Sequence, residues 1–415
     1  MISAETVSPM QPHTQGVMIA GAGIPGLSLA VALKCSLGAA LAVSLCDPGI
    51  AAPRASGRAT AIAAGARRMF EALGVWGPIA ARTQPILSMV VTDSKRDAPV
   101  RPVLLQFDGE AAPGEPFAHM VEDDDLAAAL LARARGLGVA LVAASIDAAT
   151  PGPAAMAVRL GNGAALSAQL LVAADGTKSR LRTRMRIGTS GWAYAQAGIV
   201  ATLAHERSHE GRAEEHFLKD GPFALLPLTG NRSSIVWTLA ARDAPTMAAL
   251  DEAGFIGEVE SRIGLHLGAL RLIGRPRAFP LGLHIARSFI APRFALVGDA
   301  AHNIHPIAGQ GLNLGLRDVA ALAEAICAQV RLGLDCGGMA MLQDYQRQRR
   351  FDTLAMAATT DILNRLFADD ATAPRLIRDL GLGLVNRMPG LKRFFVGQAA
   401  GIGGDAGELM QGRVP

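Results

Sequence analysis

The 415-residue chain is half apolar, 18% charged and carries a formal charge of +4. That balance suits a globular protein long enough for two domains and a large core, and it excludes a disordered chain. The absence of a dense Lys or Arg run removes any footprint for nucleic acid, while the mild positive charge would suit an anionic membrane surface.

Residues 1–16 are polar, contain Pro9 and Pro12, and read as a flexible tail. Val17–Ala20 is a short apolar run suited to a buried strand. Gly21, Gly23 and Gly26 then form G-x-G-x-x-G, and the small apolar residues from Leu27 onward predict a helix. Strand, tight turn and helix in this order make a dinucleotide site. Gly21 permits the turn, Gly23 lets a diphosphate approach the backbone, and Gly26 lets the helix pack close to the strand. The helix start offers free N–H groups and about +0.5 of a charge to the diphosphate. A second apolar strand, Ala40–Cys46, ends in Asp47, 47 − 26 = 21 residues past the last glycine, where an acid accepts hydrogen bonds from an adenosine ribose. Residues 17–33 are uncharged, as a signal anchor would be. Residues 1–16 hold no Lys or Arg, however, and Gly and Pro interrupt the run, so a targeting segment is the weaker reading and no spanning helix is expected.

Ala51–Ala64 reads as a loop leading into a helix over Gly65–Leu73, and Arg54 and Arg58 either reach the diphosphate or lie solvated. Ile86–Val91 and Val100–Phe107 are predicted strands. Glu122–Leu131 is a predicted helix whose acidic first turn suits its N-terminus. Val139–Ala144 and Met156–Leu160 are predicted strands, Asn162-Gly163 a hairpin turn, and the apolar Leu170–Ala174 leads to Asp175 and Gly176. Ile199–Leu203, Phe223–Leu228 and Ser233–Leu239 form a second group of strands, and 241–270 reads as helical. Phe294–Val297 is a short buried strand, Gln310–Gln329 a long helix, and the chain from Met341 is helical. Cys35, Cys46, Cys327 and Cys336 show neither C-x-x-C nor zinc spacing and read as free thiols of a reducing cytoplasm. The expected architecture is α/β. A Rossmann-like nucleotide domain (17–84, 115–188 and 276–340) is interleaved with a β-sheet substrate domain (85–114 and 189–275) and followed by a C-terminal helical region (341–415), with the site between the domains.

A second signature lies at 296–318. Asp299 stands at the carboxyl end of a strand, where open α/β sheets bind ligands, and an acid there accepts from the hydroxyls of a sugar or ribityl chain. Such a charged bond contributes roughly 1.5–3 kcal/mol. Gly309-Gln310-Gly311-Leu312-Asn313 opens another helix. A flavin fits this opening better than a nicotinamide, because reduced flavin carries negative charge at its N1/O2 edge and a helix N-terminus stabilises an anion. Pro306 and Ile307 supply an apolar wall. His302 and His305 lack the acid or sulfur cluster a metal site needs, so no metal is expected. With no second strand–G-x-G-x-x-G–helix, the chain is expected to hold one FAD and to take NAD(P)H without another Rossmann domain.

Three blocks, GAGIPG (21–26), ADGTKSRLR (174–182) and LVGDAAHNIHPIAGQGLNLGLRD (296–318), resemble in order the single-component aromatic flavin hydroxylases related to para-hydroxybenzoate hydroxylase. RATAIAAGARRMFEALGVW (58–76), GPFALLPL (221–228), SSIVWTL (233–239) and YQRQRRFDTLAMAATTDILNRLF (345–367) make the resemblance closer to the ubiquinone-biosynthesis hydroxylases, over nearly the whole chain beyond residue 16. The resemblance implies that Gly21, Gly23 and Gly26 hold the FAD diphosphate, Asp47 the ribose and Asp299 the ribityl chain. It implies that Arg58 contacts FAD, that Asp175 and Gly176 touch FAD and the pyridine nucleotide, and that Pro306, Gly309, Gly311, Leu312 and Asn313 face the isoalloxazine. It further implies that NAD(P)H reduces FAD and that O2 supplies the oxygen for an electron-rich ring, a phenol with a polyprenyl tail. Hydroxylation of a soluble aromatic and flavin-dependent reduction of a prenyl lipid are the alternatives. Two departures stand out: the long loop from Asp47 leaves Arg54 competing with Arg58, and Asp124 stands where relatives often carry a basic or amide residue. The motifs nominate no base; His216 and Tyr194 are the candidates. Arg387–Val396 mixes cations with large apolar residues and reads either as a peripheral contact with the inner membrane or as a packed terminal helix. A homo-oligomer or a biosynthetic complex stays open.

Overall fold

The computed structural model describes residues 14–52, 56–93, 103–108, 110–218, 221–306, 309–368, 401 and 407–415. Arg54, Ile307 and the 387–396 stretch lie outside them.

The first sheet runs in the order Ala140–Val142, Val43–Cys46, Thr14–Ala20, Ala165–Ala173, Met156–Leu160, Ile146–Pro151. Its first four strands are parallel, its last two antiparallel, and Phe294–Leu296 joins Ala165–Ala173 in parallel. Helix α1 (Ile24–Leu37) starts with Pro25, whose fixed φ suits a first turn, and ends at Gly38 in positive φ. Every residue from Gly26 to Leu33 is buried. The uncharged run at 17–33 is thus a core strand and a helix covered on all sides, and among the described residues no helix is long and apolar enough to cross a membrane. Helices α2 (Ala64–Ala72), α3 (Asp123–Gly136) and the short α4 (Arg180–Arg184) follow in the chain. The acidic first turn of α3 and its basic last turn complement the helix dipole.

The second sheet has the order His302–Asn303, Leu270–Ala286, Thr189–His205, Arg232–Ala240, Gly221–Leu228, Arg212–Leu218, Ser88–Asp93, Val103–Asp108. Helices α5 (Ala244–Ala248) and α6 (Glu252–Ile263) cover one face, where Phe255 and Val259 pack on Ile199, Phe223, Ile235 and Trp237. On another apolar surface, Ala213 and Leu228 of this sheet meet Ala64, Ile86, Phe117 and Met120, beside the small sheet Ala59–Ala63, Ala118–Glu122, Gln84–Pro85. Helices α7 (Gln310–Arg331) and α8 (Met339–Ala368) complete the fold.

Three readings change. Ala59–Ala63, expected as loop, is a strand, stabilised by pairing with Ala118–Glu122 rather than by local periodicity. Arg212–Leu218 is a strand that its Arg, Glu and His residues conceal from apolar patterning. Leu270–Ala286 continues the second sheet beyond the expected boundary at 275, because it pairs along most of the 17-residue strand Thr189–His205.

Candidate active site

At the first glycine turn, Gly21 has φ +110°, and a Cβ there would stand 2.3 Å from the Ala174 carbonyl oxygen. A Cβ on Gly26 would lie 2.0 Å from the Gly21 carbonyl oxygen, so α1 docks directly on the turn. Gly23 is the extended N-cap of α1, with no side-chain cap, and a Cβ on it would meet only Pro25 at 3.9 Å. The exposed Gly23 therefore leaves room at the helix start, the positive end of the helix dipole. Asp47 accepts from the Ala22 N–H at 2.9 Å and the Gly49 N–H at 2.6 Å, which seats the acid beside the turn.

Asp175 caps α4: one carboxylate oxygen, Oδ2, accepts from Arg180 and Leu181 N–H at 3.0 and 3.4 Å. Its Oδ1 is buried without a partner among the described residues. Leaving such an atom unsatisfied costs about 1–3 kcal/mol, which a ligand donor would offset. Gly176 has φ +80° and open space where a Cβ would be. Thr177 donates to Asp299 Oδ2 at 3.3 Å, and Arg182 donates to Ala300 O at 2.7 Å and Thr177 O at 2.9 Å, tying the two motif loops together. Asp299 itself is exposed.

The Gly298 turn is wedged between two helices. Its Cβ position is 3.1 Å from Pro25 Cγ of α1, and a Cβ on Gly315 of α7 would stand 3.0 Å from Gly298 Cα. The first turn of α1 and the N-terminal half of α7 thus pack on the same turn. Gly309, in left-handed conformation at φ +63°, is the uncapped N-cap of α7, and Gly311 opens on free space. The half-buried Pro306 accepts the Gly309 N–H through its carbonyl, and Leu312 packs partly against the main core. The Asn313 side chain is engaged with protein. Its Oδ1 accepts from Ala63 N–H at 3.0 Å and its Nδ2 donates to Ala61 O at 2.8 Å, stitching α7 to the Ala59–Ala63 strand.

Behind the Gly298 turn lies a buried ion cluster that the motifs did not single out. Asp318 accepts from Gly298 N–H at 3.0 Å and Arg349 Nε at 2.8 Å, and its Oδ2 lies 2.6 Å from His302 Nε2. Burial alone would raise the Asp318 carboxyl, but His302 and Arg349 more than offset it and hold it below the usual range. Its sequence signal was the acid closing GLNLGLRD; its partner on α8 lay too far along the chain to be read.

Arg58 is largely exposed, with Nε 3.7 Å from Asp123. Asp124 accepts from the Ser56 and Gly57 N–H groups at 2.7 and 3.3 Å, so the unusual acid fixes the loop that delivers Arg58. The two candidate bases are not brought together. Tyr194 donates to Asp361 at 2.8 Å and meets His305 edge-on at 5.2 Å. His216 is paired in register with Phe223, whose side chain packs in the α6-covered core. It lies between Thr92 Oγ1 at 2.8 Å and Glu214 at 3.0 Å, and Glu214 also holds His266, which follows α6. That environment is a buried polar cluster in which both ring nitrogens have partners.

Two glycine-led helices packed on one turn, with Asp47 and Asp299 beside them and a second sheet alongside, fit an FAD-dependent monooxygenase of the para-hydroxybenzoate-hydroxylase-like fold, the class that the family and relatives show. The chain belongs to the FAD binding domain family, whose model matches residues 14–359. It is 42% identical over 402 residues to the ubiquinone hydroxylase UbiL of Rhodospirillum rubrum, covering 95% of this chain and 92% of that one. It is 31% identical over 383 residues to the mitochondrial ubiquinone biosynthesis monooxygenase COQ6 of Mus musculus, covering 81% and 79%. Among solved structures, p-nitrophenol 4-monooxygenase PnpA from Pseudomonas putida superposes with a TM-score of 0.76 at 17% identity, covering 93% of this chain and 98% of that one; this likeness bears on the fold alone.

Proposed function

We propose that this chain hydroxylates the ring of a polyprenylated phenol in ubiquinone biosynthesis, using NAD(P)H and O2. The observation that carries the reading is the packing of α1 and α7 on the one Gly298–Asp299 turn. Bound FAD supplies two-electron transfer from NAD(P)H and the activation of O2. In this reading the α1 N–H groups and Gly23 take the diphosphate, Asp47 the ribose and Asp299 the ribityl hydroxyls. Arg58 and the Asp175–Gly176 turn border the cofactor, and the α7 start at Gly309, Gly311 and Leu312 sets about +0.5 of a charge beside the ring edge. Pro306 walls the ring, and the second sheet excludes water from the reacting atoms.

The test is oxygen uptake and product analysis with a tailed and an untailed phenol. Turnover of the tailed phenol with matching O2 and NAD(P)H consumption supports the proposal. Preference for the untailed phenol would assign a soluble aromatic, and NAD(P)H oxidation without O2 uptake would assign a reductase. A prenyl tail also brings the enzyme to a bilayer surface, so salt-sensitive sedimentation with membranes is expected. Protein that stays in the supernatant at low salt would remove that part.

A further inference from the structure

The Arg212–Leu218 strand carries three acidic or basic residues in succession, and they divide between the two faces of the sheet. Glu214 and His216 pair in register with Leu225 and Phe223, both in the α6-covered core. Glu215 points to the other face, with Ala213 and Phe217. In register with it stand Val91 on one side and Ala224, then Val236, on the other, all apolar and short. Two residues along, Ala213 belongs to the cluster that also holds Ala61, and Ala61 Cβ lies 3.7 Å from where a Cβ on Gly309 would stand. The face that Glu215 shares with Ala213 thus belongs to the apolar cluster that reaches the α7 start at Gly309, against which the flavin ring is proposed to lie.

Glu215 is 7% exposed, and burial is what acts on its carboxyl, with no charged or hydrogen-bonding neighbour among the described residues. Its neighbour Glu214 is held by Arg212, His216 and His266. A lone buried carboxyl is unfavourable for folding, and burial pushes Glu215 up to about 8, so at neutral pH it is chiefly an uncharged O–H donor. An uncharged donor set in an apolar wall matches an oxygen on an otherwise apolar ring, and it matches neither a phosphate nor a cation.

We propose that the Glu215 carboxyl orients the ring substrate by donating a hydrogen bond to a ring oxygen. This rests on the reading of the chain as a ring hydroxylase and names the group that selects oxygenated rings.

The test titrates FAD-loaded protein with 2-farnesylphenol and with farnesylbenzene, which lacks the ring oxygen, following flavin fluorescence. Wild type is expected to bind the phenol at least tenfold more tightly than the hydrocarbon. In Glu215→Leu and Glu215→Met the ratio should fall to within about twofold, whereas Glu215→Gln, which keeps a donor, should retain most of it. FAD content should be unchanged, and the Leu and Met variants should melt at or above the wild-type temperature, since a lone buried carboxyl has been removed. An unchanged ratio in both donor-less variants, in an enzyme that still hydroxylates the phenol, overturns the inference and leaves the hydroxylase reading standing. So does loss of folding in both. A wild type that neither binds nor turns over either ring overturns the two together.

Discussion

Asp318→Asn is expected to loosen the turn that carries Asp299. The Asp318 side chain is fully buried, Arg349 is 5% exposed and His302 2% exposed, so none of the three exchanges its partner for water. Asparagine keeps the shape but removes the charge facing Arg349 Nε and His302 Nε2. Breaking one partner of a buried pair costs about 3–5 kcal/mol. With an unfolding entropy of about 2.1 cal/mol/K per residue, a chain of 415 residues has roughly 0.9 kcal/mol/K near its midpoint. The expected fall in Tm is therefore about 3–6 °C. Because the same carboxylate accepts the Gly298 N–H, FAD retention should fall as well. The assay is thermal melting of FAD-free and FAD-loaded protein together with flavin release on dilution. The pH dependence has a definite sign. The folded Asp318 carboxyl is held below its ordinary value of about 3.9. Its contribution is present above that value and is lost as pH falls through the lower, folded value. The gap between wild type and variant should therefore narrow in acid. A Tm within 1 °C of wild type and undiminished FAD retention at neutral pH would refute the reasoning.

Gly26→Ala places a Cβ 2.0 Å from the Gly21 carbonyl oxygen, and backbone must move; the variant should purify without flavin, and normal flavin absorbance would contradict the packing argument. Asp299→Ala should give colourless protein whose Tm stays near that of FAD-free wild type, because the side chain is exposed; full flavin absorbance would remove its proposed role. Asp175→Ala should slow flavin reduction by NAD(P)H more than it lowers FAD content, a difference that rapid-mixing absorbance reads, and unchanged reduction kinetics would count against it. Asn313→Ala leaves the Ala63 N–H and Ala61 carbonyl unpaired, and denaturant unfolding should show a loss of about 1–3 kcal/mol.

Much of the architecture was legible because its signals are local. A glycine that must adopt positive φ, an apolar strand before it and a helix after it are decided within ten residues, and both cofactor turns were read this way. Ala59–Ala63 and Arg212–Leu218 were not, since each is a strand only by virtue of the strand beside it. The same division runs through the site. Asp47, Asp175 and Asp299 each follow an apolar strand, a position that the sequence shows directly. The fate of Asn313 depended on a strand 250 residues away, and that of Asp318 on a helix still to come.

By itself the amino-acid order determined that this protein carries two glycine-opened helices after strands, with acids placed for a flavin dinucleotide. Only the tertiary structure decided that both helices pack on the one Gly298 turn, and that Glu214 and Glu215, adjacent in the chain, belong to different surroundings. The physical reason is that a strand turns successive side chains to opposite faces. Which face meets α6, and which meets the Ala64–Phe117 cluster, is settled by packing between segments that lie far apart in the sequence.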